Sequence, residues 1–116
     1  MLIVDDHPGF RHQARILFES ANYDVVGEAD DVASAVRAAA ELRPAIVLLD
    51  VQLPDGDGFR ATRRMLTADA PPAVILISTR DAADYGARID ASGARGFISK
   101  ADLSVNTLEA LLGDGG

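Results

Sequence analysis

Asp50 follows five apolar residues, Ala45-Ile46-Val47-Leu48-Leu49, and precedes a segment, Val51 to Gly58, dense in aspartate, glycine and proline. Asp5 and Asp6 follow the apolar run Leu2-Ile3-Val4 in the same way. Ser78 ends the run Ala73-Val74-Ile75-Leu76-Ile77, and Ser99-Lys100 follows Phe97-Ile98. Brought together, three carboxylates, a hydroxyl and an ammonium are equipped to handle a phosphoryl group. A carboxylate can act as the nucleophile and give an aspartyl phosphate. Three carboxylates at one edge repel, and at least one pKa rises unless a cation intervenes. A hard, oxygen-seeking ion such as Mg²⁺ relieves this with one or two carboxylates, waters and phosphate oxygens. The metal and Lys100 would neutralise the transferred charge, and the Ser78 hydroxyl would donate to one of its oxygens. Taken singly, each residue has a plainer use. Asp5-Asp6 could cap a helix, Ser78 could be a strand-end hydroxyl, Lys100 a surface lysine and Asp50 a loop residue. Their coincidence at the ends of apolar runs carries the chemistry.

Those runs must be strands for the residues to meet. Residues 45–49 do not alternate, the mark of a strand buried on both faces, as in parallel sheets. The Pro/Gly/Asp cluster behind Asp50 is a loop by composition. Leu2-Ile3-Val4 predicts a first strand and Pro8 a first helical turn, with Phe10, Ala14, Leu17 and Phe18 at helical spacing. Residues 24–29 predict a second strand. Val32, Ala35, Val36 and Ala39 stripe a second helix that Pro44 ends. Residues 59–68 predict a helix with Phe59, Thr62, Met65 and Leu66 on one side. Residues 82–92 predict a weak helix up to Gly93. Val105, Leu108, Leu111 and Leu112 stripe the last helix, capped by Asp102 or Ser104. Strand ends near residues 5, 29, 50, 78 and 99 suit right-handed βα units. The expected fold is α/β: a doubly wound, five-stranded parallel sheet with helices on both faces. The strands ending at Asp50 and Ser78 should be central. In such sheets ligands bind outside the carboxyl ends of the strands.

With 116 residues the chain is long enough for one domain with a single core. We expect that domain at residues 1–112, with 113–116 as a Gly-rich tail or linker stub. A net charge of −7 and a pI near 4.6 argue against direct grip on a nucleic-acid backbone. Cysteine is absent, which excludes disulfides and thiol chemistry. No apolar run reaches the roughly 18 residues of a membrane span, and no signal-peptide pattern opens the chain. A soluble, unprocessed cytoplasmic protein is expected.

Four segments, in order, carry a family resemblance: Leu2-Ile3-Val4-Asp5-Asp6-His7-Pro8, then Leu48 to Gly58, then Val74-Ile75-Leu76-Ile77-Ser78, then Gly96-Phe97-Ile98-Ser99-Lys100. Each is weak alone; at these spacings they resemble a response-regulator receiver domain of two-component signalling, a CheY-like domain, over essentially the whole chain. The resemblance implies the flavodoxin-like strand order 2-1-3-4-5. It implies that Asp50 is the phosphoacceptor for the phosphohistidine of a sensor histidine kinase. Asp6, Asp50 and the backbone carbonyl of Gln52 would hold Mg²⁺, with Asp5 acting through its waters. Lys100 would pair with the phosphoryl group, Ser78 would swing toward it, and Phe97 would rotate inward behind Ser78. The face of the fourth helix, fifth strand and fifth helix would change in consequence, promoting a homodimer or control of an output domain. His7-Pro8 and Phe97 to Ala101 resemble receivers joined to LuxR-type transcription factors, so DNA would be reached only through such an output domain.

Three positions depart from the common pattern. Phe97 replaces the frequent Tyr and loses its hydroxyl contact. Thr79 stands where a small residue is usual and is expected to crowd access to Asp50. Ala101 follows Lys100 where many receivers have a cis proline, leaving the isomer open. Three rivals remain. An aspartate-nucleophile phosphatase would need a second Asp where Gln52 stands. A flavodoxin-like cofactor binder would need Ser, Thr and Gly where Asp5-Asp6 stand. The third is a receiver that signals by protein binding without phosphorylation.

Overall fold

The computed structural model describes residues 1–113; the remainder of the expected tail lies outside the described residues. In chain order the elements are β1 (Leu2–Val4), α1 (Pro8–Ser20), β2 (Gly27–Ala29), α2 (Val32–Leu42), β3 (Ile46–Asp50), β4 (Gln52–Leu53), β5 (Gly56–Asp57) and α3 (Gly58–Met65). They continue with β6 (Ala73–Ser78), α4 (Ala82–Tyr85), α5 (Arg88–Ser92), β7 (Gly96–Ser99), a 3-10 turn (Lys100–Asp102) and α6 (Val105–Leu111). Five strands form one sheet in the order β2-β1-β3-β6-β7, and all its pairings are parallel. β4 and β5 make a separate two-stranded hairpin directly after Asp50. Setting the hairpin aside, this is the expected order 2-1-3-4-5, with β3 and β6 adjacent at the middle.

Successive strand residues point to opposite faces, and here both faces are covered. Leu2, Val4, Val47, Leu49, Val74 and Leu76 pack with Val32 and Ala35 of α2 and Phe59, Ala61 and Met65 of α3. Ile3, Leu48, Ile75, Ile77 and Ile98 pack with Ala14 and Phe18 of α1 and Leu108 of α6. This is why the strands read as unbroken apolar runs. Each fully buried Leu or Ile contributes roughly 1.5–3 kcal/mol, and a register slip would expose a whole set. The aligned strand ends are therefore a consequence of core packing.

Local signals act as their chemistry dictates. Pro8 occupies the first position of α1. Asp31 and Ser34 form a reciprocal cap on α2, which ends at Arg43 in the left-handed region just before Pro44. Ser104, rather than Asp102, caps α6 through the Thr107 N–H. Asp102 instead closes the 3-10 turn. No peptide is cis among the described residues, so Lys100–Ala101 is trans. No helix among them is long and apolar enough to cross a membrane.

Three boundaries differ from the sequence reading. The second strand spans only 27–29, because β1 begins at Leu2; upstream, the pairing rests on Met1 alone, whose ammonium donates to the Asp24 carbonyl at 2.6 Å and whose carbonyl accepts the Val26 N–H at 2.9 Å. The helix expected over 59–68 stops at Met65. There Thr67 and Ala68 N–H groups turn to carbonyls three residues back, and Thr67 Oγ1 takes the Arg64 carbonyl as well. The weak helix over 82–92 is two short helices, parted where Gly86 adopts φ +57° and ψ −132°.

Candidate functional site

The parallel register aligns Val4 with Leu49, Asp50 with Ile77 and Ser78 with Ser99. The residues following β1 and β7, Asp5 and Lys100, therefore reach the same edge as Asp50 and Ser78. Asp5 is 0% exposed, Asp50 4% and Ser78 1%. Buried polar groups of this kind need partners, and most of those partners lie within the cluster.

Lys100 is the central one. Its Nζ lies 2.5 Å from Asp5 Oδ2 and 3.2 Å from Asp50 Oδ2, and 4.4 Å from the centre of the Phe10 ring. The Gln52 N–H donates to Asp50 Oδ1 at 3.0 Å, and the His7 N–H donates to Asp5 Oδ1 at 2.8 Å. Arg11 donates to the Asp5 main-chain carbonyl at 2.6 Å. One oxygen each from Asp5, Asp6 and Asp50, together with a ring nitrogen of His7, lie within 4.8 Å of one another. Asp5 Oδ2 and Asp6 Oδ1 are buried yet accept no aligned hydrogen bond, although Lys100 and His7 are close in charge-pairing distance.

The electrostatics divide the carboxylates. Burial is the largest effect on Asp50 and, helped by the charge of Asp5, pushes its pKa up to about 6; the Gln52 N–H and Lys100 pull the other way. Burial also opposes ionisation of Asp5, but Lys100 and the His7 N–H outweigh it and hold that carboxyl below its ordinary value. Burial lowers the Lys100 pKa less than the two carboxylates raise it, so it stays firmly charged. Like charges in one site drive pKa values apart in this fashion.

The expected site residues are thus partly gathered. Asp5, Asp6, Asp50 and Lys100 converge. Gln52 is exposed, with its N–H on Asp50. Ser78 reaches the edge, but its hydroxyl is engaged elsewhere: Oγ lies 2.7 Å from the Tyr85 hydroxyl and accepts the Arg80 N–H at 3.1 Å. Phe97 is half-buried and packs on the same Tyr85, ring centres 5.7 Å apart, while Tyr85 meets Phe59 edge-on at 5.5 Å. Thr79 is exposed at the rim. Sequence reasoning did not single out two residues here. His7 carried a signal, its adjacency to Asp5-Asp6. Tyr85 carried none beyond being the one aromatic in a segment poor in large apolar residues.

The family model for the response regulator receiver domain matches residues 1–112. BvgA of Bordetella pertussis, whose name describes a positive transcription regulator of virulence factors, is 33% identical over 100 residues, 86% of this chain and 48% of that protein. The chain spans about half the length of the curated relatives it matches. A LuxR-family two-component response regulator from Aurantimonas sp. SI85-9A1 superposes with a TM-score of 0.87 at 33% identity, over 97% of this chain and 84% of that one. A chain of the CheX-CheY-BeF3-Mg complex from Borrelia burgdorferi gives 0.84 at 27% identity, over 98% and 86%. With its acidic strand-end cluster and its sheet order, this chain belongs to the response regulator receiver domains of two-component signalling.

Proposed function

We propose that this chain is a phosphoacceptor receiver, in which Asp50 takes a phosphoryl group from the phosphohistidine of a sensor histidine kinase. The observation that carries the reading is Asp50 itself, nearly buried at the end of the central strand with Lys100 3.2 Å from one carboxylate oxygen. In the transfer an Asp50 oxygen forms a bond to phosphorus as the phosphorus–nitrogen bond breaks, and the imidazole leaves with that electron pair. A pKa near 6 leaves the carboxyl mostly ionised, and so nucleophilic, at neutral pH. Lys100 stands ready to pair with the added negative charge.

The donor set fits a hard divalent cation. It offers three carboxylates, and two of their buried oxygens accept no aligned hydrogen bond. Asp6, Asp50 and the Gln52 carbonyl would hold Mg²⁺, with Asp5 acting through its waters. Bound there, the ion would supply positive charge against the phosphoryl oxygens.

The readout is conformational: this is a switch rather than an enzyme with a diffusing substrate. Ser78 donates to the phosphoryl group, Phe97 turns inward, and the face built from α4, α5, β7 and α6 changes. Thin packing supports a mobile element there, since α4 buries no residue and α5 only Ser92. Residues 1–112 form the receiver unit, with 113–116 as tail or linker. The half-length match to BvgA and the likeness to a LuxR-family regulator support a cytoplasmic transcriptional response regulator. Its output domain would bind DNA, and phosphorylation would favour a homodimer.

Amide NMR spectra with beryllofluoride and Mg²⁺ test this in wild type and Asp50→Asn. Expected are Mg²⁺-dependent shifts at Asp50, Ser78 and residues 82–100 in wild type only. No shift in wild type would favour a receiver that signals by protein binding without phosphorylation.

A further inference from the structure

We infer that Tyr85 is a positioning residue, a latch that holds the Ser78 hydroxyl away from the phosphoryl site until Asp50 is modified. This rests on the receiver reading and adds to it a residue outside the phosphoryl-binding set.

The Ser78 hydroxyl has one proton and two lone pairs. One lone pair accepts the Arg80 N–H at 3.1 Å, and the Tyr85 hydroxyl at 2.7 Å takes either the remaining lone pair or the proton. Either way the hydroxyl rotor is fixed. If Ser78 is the donor, its only proton is spent on Tyr85, and donation to a phosphoryl oxygen requires that bond to break. If Tyr85 is the donor, both lone pairs of Ser78 are occupied and those two bonds fix the direction of its unspent proton, so aiming that proton at a phosphoryl oxygen requires the Tyr85 bond to break. Tyr85 then loses its hydroxyl partner whenever Ser78 turns toward Asp50.

The consequence reaches beyond one bond because of where Tyr85 sits. It ends the four-residue α4, and Gly86 follows at φ +57°. From Asp81 to Ala91 only Tyr85 and Ile89 are even half-buried. The ring touches both Phe97 and Phe59, and Arg88 lies over Phe59 at 4.6 Å. Tyr85 is therefore the main tie between this thin segment and the end of β6. Phe97, having no hydroxyl, cannot make the bond to Ser78, and a helical tyrosine supplies it instead. Occupation of the site would pull Ser78 off Tyr85 and loosen residues 82–92 in one event.

The test uses the full chain as wild type, Tyr85→Phe, Ser78→Ala and the double variant. Two quantities are read: beryllofluoride affinity with Mg²⁺ present, and amide exchange over residues 82–92 without beryllofluoride. Tyr85→Phe keeps the ring and removes only the hydroxyl. It should bind beryllofluoride about three- to tenfold more tightly, one net hydrogen bond no longer having to break. Its amides over 82–92 should exchange faster than in wild type. In the Ser78→Ala background Tyr85→Phe should change neither quantity. Tyr85→Phe affinity equal to wild type, or an effect that persists without Ser78, overturns the latch while leaving the receiver reading intact. If wild type itself takes no beryllofluoride, the receiver reading falls. The exchange comparison then still decides the latch, equal rates in wild type and Tyr85→Phe overturning it.

Discussion

Lys100 Nζ and Asp5 Oδ2 meet at 2.5 Å although two strands, β3 and β6, lie between the strands that carry them. The lysine stem crosses the carboxyl edge of the sheet and closes over the end of β3, where Asp50 stands. One ammonium is shared between two buried carboxylates. Asp5 receives the larger part and stays ionised, while Asp50, desolvated by burial and left with the smaller part, rises to about 6. The site is short of positive charge, and a divalent cation would supply it.

Lys100→Ala should therefore destabilise the chain. It strands Asp5, which is fully buried, and removing one partner of a buried pair costs about 3 kcal/mol or more. The loss should be recovered in part by Mg²⁺, which would take over the neutralisation. Thermal unfolding with and without Mg²⁺ checks both effects. The variant's midpoint should start lower than that of wild type and climb further on adding the metal; equal Mg²⁺ responses would refute the shared-charge account. In the same variant, phosphorylation should lose its coupling to the conformational change.

Asp50 predicts a pH dependence of stability with a definite sign. Its pKa is about 6 in the fold against 3.8 as an ordinary carboxyl. Between those values the native chain binds more protons than the unfolded one, so stability falls as pH rises from about 4 to 6. The ionised, poorly neutralised carboxylate costs on the order of 3 kcal/mol at pH 7. Asp50→Asn removes this cost, so it should be more stable than wild type at pH 7 and should show a flatter profile between pH 4 and 6. Chemical denaturation across that range measures it, and a less stable variant at pH 7 would contradict it. The same variant should take no beryllofluoride.

The parts of this site that were legible in the sequence are those dictated by long-range packing. Asp50, Ser78 and Lys100 follow apolar runs, and a parallel sheet buried on both faces must bring the ends of such runs to one edge. The parts that were not legible depend on local geometry in weakly patterned segments. Nothing in Ala82 to Ser92 signals that Gly86 breaks the helix or that Tyr85 turns back to Ser78. Asp24 to Val26 read as strand because their types suit one, but beyond the three-residue β1 their main chain has only Met1 as a backbone partner. The helix after Gly58 read too long because Leu66 continues the apolar stripe after the backbone has already tightened.

Gly58 shows how closely the loop behind Asp50 is packed. A Cβ there would lie 2.5 Å from the Asp50 carbonyl oxygen and 3.0 Å from Val51 Cα, both backbone atoms. The Gly58 N–H also bonds the Val51 carbonyl at 2.7 Å. Gly58→Ala should cost about 1–3 kcal/mol through backbone displacement. The shift would fall on Asp50 and Val51, so beryllofluoride affinity should fall along with stability. Unchanged affinity in a destabilised variant would uncouple this contact from the site.

Asp55 links the same loop to α2. Its Oδ1 accepts the Val32 N–H at 2.7 Å and its Oδ2 the Ala33 N–H at 3.1 Å. These are two of the free donors that open a helix, and a carboxylate there is further favoured by the helix dipole. The contact anchors the hairpin of β4 and β5, whose first residue, Gln52, bonds Asp50 through its N–H. Asp55→Ala should cost about 1–2 kcal/mol, with Asp55→Asn falling between it and wild type because one acceptor survives. In amide NMR spectra of Asp55→Ala, the signals of Val32, Ala33 and Gln52 should move together. A shift confined to Val32 and Ala33 would mean that the cap stabilises α2 without holding the hairpin. The position of Gln52 beside Asp50 would then be set by β3 and Gly58 alone.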